Sequence, residues 1–359
     1  MNYVIDKTAG EAAYLQVYRL LREDILRQVY PQGSRLPSKR TIAQETGVST
    51  ITVEHAYALL CDEGYAEARE RSGYFVTFHT DQGFASPQAA SPILRHTPQG
   101  SGQTQFPVSV LARTMRRVIN DLGDSILEKS PNPGFPELRE AIRQYLLRSR
   151  GIQAELEQII IGSGSEYLYG LTVELLGRHR VYGIESPSYN KISLVYRAAE
   201  VECELLPLGS DGIESQALRQ SHADVLHITP YRSFPSGVTA GASKRHEYLR
   251  WAEAPGRFIV EDDFESEFSV SSKPVETLFS QSRRDNVIYL NSFSKTISPA
   301  LRVGYMVLPK QLVGEFQKRL GFYSCTVPTF EQFVLAELIS GGDFERHINR
   351  VRRRKRREK

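Results

Sequence analysis

The chain has 359 residues, of which 40% are hydrophobic and 24% are charged, as in an ordinary soluble globular protein. At roughly 150 residues per domain, this length predicts two or three domains. No apolar run approaches the roughly 20 residues that cross a bilayer, and the first residues lack the layout of a signal peptide. We therefore expect a cytoplasmic protein with no membrane partner. The formal net charge of +3 does not by itself indicate a nucleic-acid partner.

The cysteines show neither a metal-binding nor a disulfide pattern. The three cysteines, Cys61, Cys203 and Cys325, are far apart in the sequence, so we predict no metal site and a reducing environment. The last residues, 352–359, read RRRKRREK. A block of like charge this dense is more typical of a solvated helix face or a tail than of a nucleic-acid site.

Residues 12–78 are predicted to form a helix, a helix-turn-helix and a hairpin. Apolar and aromatic side chains recur at spacings of three and four along the first helix, and Pro31 and Gly33 are expected to end it. Its apolar face comprises Tyr14, Tyr18, Leu21, Ile25 and Val29. One continuous apolar face predicts that this helix packs against the helices that follow.

The next elements carry helix-capping and turn residues at short intervals. Ser38 is suited to cap the second helix, and Ser49 or Thr50 to cap the third. Gly47 is expected to form the turn between these two helices. The third helix would bury Val53, Ala56, Tyr57 and Leu60. The hairpin strands are predicted at Ala66–Arg69 and Tyr74–Phe78, and Gly73 lies in the turn between them.

A helix-turn-helix delivers the start of its second helix to base edges in the DNA major groove. The polar side chains in this region are Ser49, Thr50, Thr52 and His55. The cations at the front of the preceding helix, suited to phosphates, are Arg35, Lys39 and Arg40. The Gly73 turn would lie along the minor groove. The alternative is an ordinary small three-helix unit, because any such unit would show this apolar pattern. Basic charge does not decide between the two, since nearby glutamates roughly balance the basic residues.

The stretch from Tyr14 to Val76 resembles the winged helix of GntR-type bacterial transcription regulators along its whole length. Its most specific parts are the run RLPSKR, residues 35–40, and the Gly73 turn. The resemblance implies that the chain binds double-stranded DNA. It implies as DNA-contacting residues Arg35, Ser38, Lys39, Arg40, Ser49, Thr50, Thr52 and Gly73.

Composition divides the chain into a winged helix at 1–79, a linker at 80–105 rich in Gly, Pro, Ser, Gln and Ala, and a larger domain at 106–359. In the larger domain, apolar β-branched runs alternate with amphipathic helices, which predicts an α/β fold with a mostly parallel sheet. The strands are predicted at Gln158–Ile161, Arg180–Ile184, Glu202–Leu206, Val225–Ile228, Phe258–Val260, Val287–Leu290 and Val303–Leu308. Ligands of such sheets bind at the carboxyl ends of the strands.

A lysine and an aspartate follow two of these strands. Lys295, flanked by the hydroxyls of Ser292 and Ser294, suits Schiff-base formation beside a phosphate, although a Ser-Lys pair is more often a surface turn. Asp262 can hold the pyridine nitrogen of pyridoxal phosphate (PLP) protonated. Asp262 and Asp263 together could instead bind a divalent metal.

Three further segments offer groups for the phosphate and the ring. Gly164 and Ser165 lie between a strand and a helix N-terminus, a geometry that binds anions. A Gly-rich turn alone is weak evidence for such a site, and simple turn geometry is the alternative. Tyr189 can stack on a planar ring or pack in the core. Arg302 can pair with a phosphate or a ligand carboxylate, or be an ordinary surface arginine.

These motifs, in this order, resemble fold-type-I aminotransferases, and more narrowly the MocR subfamily of GntR regulators. The best-matching segments include IVEDDFESEF and YLNSFSKTISPALRVGY. The resemblance implies PLP as cofactor, a homodimer with a shared pocket, and a regulator that senses an amino acid or a vitamin B6 compound. It implies Lys295 as the Schiff-base lysine, Asp262 at the pyridine nitrogen and Tyr189 on the ring. It places Gly164, Ser165, Ser292, Ser294 and Arg302 near the phosphate, Arg302 alternatively near a substrate carboxylate.

The chain departs from the family pattern in three ways. Phe264 replaces a tyrosine that donates to the phenolic oxygen of the cofactor, and residues 231–233 read Tyr-Arg-Ser in place of Ser-His-Gln. Tyr231 could supply the lost donor. The sequence also stops where the family has a small C-terminal domain with a carboxylate-binding arginine, so we expect weakened substrate binding. The alternatives to a PLP-binding regulator are a working aminotransferase and a truncated regulator that no longer binds PLP.

Overall fold

The structure is a computed structural model that describes residues 3, 5–6, 11–70, 72–78, 106–269 and 276–357. The chain divides into two compact units, Met1–Gly100 and Ser101–Lys359. The predicted linker, 80–105, lies outside the described residues. The predicted boundaries of the two domains stay predictions.

The first unit is a winged helix-turn-helix. It comprises helices α1 (Ala13–Leu26), α2 (Lys39–Thr46) and α3 (Thr50–Asp62), and antiparallel strands β1 (Ala66–Arg69) and β2 (Gly73–Val76). The N-caps are as predicted, because Ser38 Oγ accepts from the Thr41 N–H and Ser49 Oγ from the Thr52 N–H, both at 3.1 Å. The buried side chains of the three helices include Val17, Leu21, Ile25, Ile42, Val53, Ala56, Tyr57 and Leu60.

The first helix is shorter than predicted. It ends at Leu26, and Gln28 adopts a left-handed backbone with φ of 60°. This turn takes the chain out of the helix well before Pro31. Val29 is therefore 39% exposed, and the prediction that it extends the apolar face is wrong.

The second unit is built on a seven-stranded sheet, with a strand at each predicted position and ends within two residues of those predicted. The strands are β3 (Ile159–Gly162), β4 (Val181–Ser186), β5 (Glu202–Pro207), β6 (Val225–Ile228), β7 (Phe258–Asp262), β8 (Val287–Ser292) and β9 (Gly304–Val307). Their order is β3-β9-β8-β7-β6-β4-β5. β9 runs antiparallel to both of its neighbours, and the pairs from β8 to β5 are parallel, which confirms a mostly parallel α/β sheet.

Helices cover both faces of this sheet. Alternate residues of one strand enter different cores, since Ile159 and Ile161 belong to one cluster and Ile160 to another. Helices α4 (Val108–Leu122), α5 (Pro136–Arg150), α12 (Thr329–Ser340) and α13 (Asp343–Arg357) contribute to the first cluster. Helices α6 (Ser165–Leu176), α7 (Asn190–Ala198) and α11 (Lys310–Leu320) contribute to the second. The remaining helices are α8 (Ser215–Gln220), α9 (Ala242–Trp251) and α10 (Leu278–Gln281).

Residues 352–357 of the basic C-terminal run belong to α13, which buries Phe344, His347, Ile348 and Val351. Across the described part of the chain, no helix has the length and apolar character needed to cross a membrane.

Candidate functional site

A cavity of about 370 Å³ lies at the edge of the sheet where the parallel strands end. This volume falls within the range of small-molecule sites. Among the residues that line the cavity are Ser165, Tyr189, Asp262, Ser292, Ser294, Lys295 and Arg302. Gly164 directly precedes Ser165 as the N-cap of α6. The fold therefore brings together residues that are far apart in the sequence, although the role of each stays a prediction.

Asp262 is held in a fixed orientation at the base of this cavity. It is 3% exposed, and its Oδ2 accepts a hydrogen bond from the Tyr169 hydroxyl. His227 Nε2 lies 3.6 Å from the same oxygen, and His227 Nδ1 is 2.6 Å from the Tyr196 hydroxyl. Within the described residues, the contacts of this carboxylate use Oδ2. Oδ1 takes part in neither contact, and the sequence reasoning missed Tyr169, His227 and Tyr196, the three residues that orient this carboxylate.

Lys295 lies in the turn after β8 and reaches the cavity from the side of Phe264. Its Nζ is 6.0 Å from the centroid of the Phe264 ring, a cation–π distance. Phe264 lines the cavity but has no hydroxyl to donate a hydrogen bond to a ligand oxygen. The replacement of the family's tyrosine by phenylalanine therefore removes a hydrogen-bond donor from the cavity wall. Tyr231 is not among the described residues that line the cavity, whereas Thr229 lines it and carries a hydroxyl.

One corner of the cavity has the features of an anion site. Gly164 has a φ of +100°, which favours glycine, and a Cβ there would lie 3.2 Å from Arg302 Nη2. α6 starts at the next residue, and the N–H groups of its first turn have no partners within the helix. Helix start and guanidinium together favour a phosphate in this corner.

Two charged residues that the sequence reasoning missed also line this corner. Lys191 Nζ forms an ion pair with Glu166 Oε1, and Arg302 Nη2 lies 3.4 Å from Glu166 Oε2. Arg302 is therefore part of a cluster in the cavity wall. A signal was present in the sequence, because Glu166 follows the predicted anion turn and Lys191 closely follows Tyr189.

Asp263 points away from Asp262, into the opposite core. Arg150 Nε lies 3.0 Å from Asp263 Oδ2, and the Tyr289 hydroxyl donates to the same oxygen at 2.7 Å. Arg150 also lies 3.7 Å from Glu267 Oε1. The two adjacent aspartates therefore do not share a metal, and no cluster of three metal-binding side chains occurs in the described residues.

Another buried carboxyl, that of Glu185, lies near the end of β4. Burial raises the pKa of Glu185 to about 8, although the Ser233 hydroxyl donates to its Oε2 at 2.6 Å. Ser233 belongs to the unusual Tyr-Arg-Ser run. The hydroxyl of Ser233 thus donates its hydrogen bond to the buried carboxyl of Glu185.

Glu185 is expected to make stability depend on pH. An unfolded glutamate titrates near pH ~4.3, so at neutral pH the folded protein binds a proton that the unfolded chain has released. The free energy of unfolding therefore falls as pH rises from about 4.3 to about 8. We expect Glu185→Gln to gain about 4 kcal/mol over the wild type between pH ~5 and ~8.5, measured by urea unfolding. Parallel pH profiles for the two proteins would contradict this.

In the first unit, Lys39 of α2 contacts both α3 and the wing, the two other parts of the predicted DNA surface. Its Nζ lies 2.8 Å from Glu54 of α3 and 5.9 Å from the ring centroid of Tyr74 in β2. Arg35 lies against the wing, since a Cβ on Gly73 would be 3.1 Å from Arg35 Nε. The helix-turn-helix and the wing thus share one surface.

The other predicted DNA residues lie on or near this surface with differing exposure. Those exposed to solvent are Ser38, Arg40, Ser49, Thr50 and His55, whereas Thr52 is half-buried. The hydroxyls of the two serines already cap helices. Ile51, which is not among the predicted DNA residues, is 65% exposed in the first turn of α3. An apolar side chain at this place is suited to a thymine methyl group.

The chain matches two protein families. Residues 13–76 match the bacterial regulatory proteins of the gntR family. Residues 98–359, most of the chain, match aminotransferase class I and II.

Three known proteins are similar over long stretches. The uncharacterized HTH-type transcriptional regulator YdeL of Bacillus subtilis is 30% identical over 97% of this chain and 78% of its own length. The probable rhizopine catabolism regulatory protein MocR of Rhizobium meliloti is 29% identical over 98% of this chain and 76% of its own. A crystal structure of Pyrococcus horikoshii kynurenine aminotransferase in complex with PMP superposes with a TM-score of 0.62 at 25% identity. That superposition covers 69% of this chain and 64% of the enzyme, slightly less than two thirds of its length. The chain therefore belongs to the MocR-like members of the GntR family of transcription regulators, in which a helix-turn-helix domain is fused to an aminotransferase class I and II domain.

Proposed function

We propose that this protein is a DNA-binding transcription regulator that binds PLP through Lys295 and senses an amino acid or a vitamin B6 compound. The observation that carries the proposal is the cavity in which Lys295, the buried Asp262 and an anion corner meet. A lysine amine, a buried carboxylate and a phosphate-binding helix start are the groups that a phosphorylated pyridine aldehyde requires. The residues present therefore fit PLP.

Each predicted residue has a place in this arrangement. Asp262 would use its free oxygen at the pyridine nitrogen, and Tyr189 would lie against the ring beside Phe234, whose ring centroid is 6.3 Å away. Arg302 and the start of α6 would hold the phosphate, and the predicted phosphate residues are Gly164, Ser165, Ser292 and Ser294. When bound, PLP supplies a reversible reaction with amines and an electron sink. That reactivity is what a sensor of amino acids needs.

The regulator would act on double-stranded DNA as a homodimer, because winged-helix regulators usually read paired half-sites. A ligand changes DNA binding only if it has different affinities for two states of the protein. We expect the purified protein to retard a DNA fragment from upstream of its own gene, and PLP to change that affinity at least about fivefold. Failure to retard any such fragment, with or without PLP, would overturn the proposal.

Reversing the charge of the basic residues on the DNA surface is expected to weaken binding to all sequences alike. Arg35→Glu combined with Arg40→Glu should lower DNA affinity about tenfold to a hundredfold and reduce its salt dependence. Fluorescence anisotropy at several salt concentrations measures both. The control is Arg27→Glu, at the C-terminal end of α1. Tyr14, at the other end of this helix, contacts His55 of the DNA surface, and about 20 Å of helix separates Arg27 from Tyr14. An equal loss in the control would place DNA elsewhere.

An active aminotransferase is the second candidate, favoured by the same Lys295 and Asp262. Phe264 weighs against it, because no hydroxyl on that side chain is available to stabilise a ligand oxygen. Steady turnover of an amino acid with an oxo-acid acceptor would place this candidate first.

A further inference from the structure

The anion corner of the cavity already contains a carboxylate. Glu166 lies in the first turn of α6, where the helix dipole and free N–H groups favour negative charge. One of its oxygens pairs with Lys191 and the other lies 3.4 Å from Arg302. All three side chains line the cavity. The cations suited to a phosphate are thus engaged by a group of the protein itself.

We propose that Glu166 competes with the phosphate of PLP for Arg302 and Lys191, so that the phosphate enters by displacing this carboxylate. The inference rests on the proposed function, since it assumes that PLP is the ligand. A phosphate monoester carries about 1.5 to 2 negative charges at neutral pH. With Glu166 ionised, it meets one net positive charge from these three side chains; without Glu166, it would meet two. At distances of a few ångströms such a difference changes affinity substantially.

The protonation state of Glu166 agrees with this role. Its hydrogen bond to Lys191, aided by the charge of Arg302, holds the pKa of the carboxyl below its ordinary value. The carboxylate is therefore negative whenever the protein is near neutral pH. A corner weakened in this way holds PLP as a ligand that dissociates, so its occupancy follows the supply of PLP, as sensing requires.

The test compares dissociation constants for PLP, for pyridoxal and for inorganic phosphate in the protein of residues 1–359. Absorption titration measures the two aldehydes, and ³¹P NMR measures phosphate. Glu166→Gln should bind PLP about tenfold tighter and inorganic phosphate more tightly too, while pyridoxal, which lacks the phosphate, should bind equally. The control is Glu174→Gln on the same helix, which removes an exposed ion pair with Arg178 just beyond the helix and should change none of the three constants.

Unchanged or weaker binding of PLP and phosphate by Glu166→Gln would overturn the inference, because Glu166 would then hold the two cations in place for the ligand. The phosphate measurement separates this failure from failure of the proposed function. If no variant binds PLP, the proposed function is wrong. The inference about the anion corner then depends on phosphate alone: tighter binding by Glu166→Gln supports it, and equal or weaker binding overturns it.

Discussion

Replacing Lys295 by alanine is expected to abolish the visible absorption band that PLP produces with the wild-type protein. Lys295 lines the cavity on the side of Phe264, in the turn that follows β8. The second lysine in the wall, Lys191, is engaged by Glu166. Without a covalent bond, PLP is held by its phosphate and ring contacts alone, and we expect its affinity to fall about a hundredfold.

Titration with PLP, followed by borohydride reduction and peptide mass spectrometry, measures this effect and identifies the modified lysine. Lys310→Ala is the matched control, because Lys310 is an exposed lysine paired with Glu155 outside the cavity. A band that persists in Lys295→Ala would assign the attachment to another amine. No band in either protein would favour a regulator that no longer binds PLP.

Replacing Arg150 by methionine is expected to destabilise the second unit by about 3–5 kcal/mol. The guanidinium lies in the interior between Asp263 and Glu267, at 3.0 Å and 3.7 Å, and all three side chains are less than a tenth exposed. Methionine matches much of the arginine volume but leaves two buried carboxyls without their cation. For a unit of this size, the thermal midpoint should fall by about 10 °C.

Calorimetry on Arg148→Met provides the comparison for Arg150→Met. Arg148 lies on the same helix, and its ion pair with Glu345 is exposed, so we expect a loss below about 1 kcal/mol. Equal shifts in the two variants would show that the buried network contributes little to stability. Because Asp263 directly follows Asp262 in the chain, a large effect should also weaken PLP binding.

Local sequence signals determined much of the fold and the membership of the candidate site. Ser38 and Ser49 were identifiable as N-caps, because capping depends on side chains within three residues of the helix start. The strands were identifiable because buried parallel strands are continuous apolar runs. Since the carboxyl ends of such strands meet at one edge, residues as distant as Ser165 and Lys295 were expected in the same site.

Only the tertiary structure decided which charged groups pair. An apolar run such as β9 carries no sign of its direction, which depends on the strands beside it. Asp262 and Asp263 have the same chemistry, yet one faces His227 and the other Arg150, because successive side chains of a strand point to opposite faces. The pairing of Glu166 with Arg302 joins residues 136 positions apart in the chain. Such contacts follow from the order of strands and helices in space, which no local pattern of residues contains.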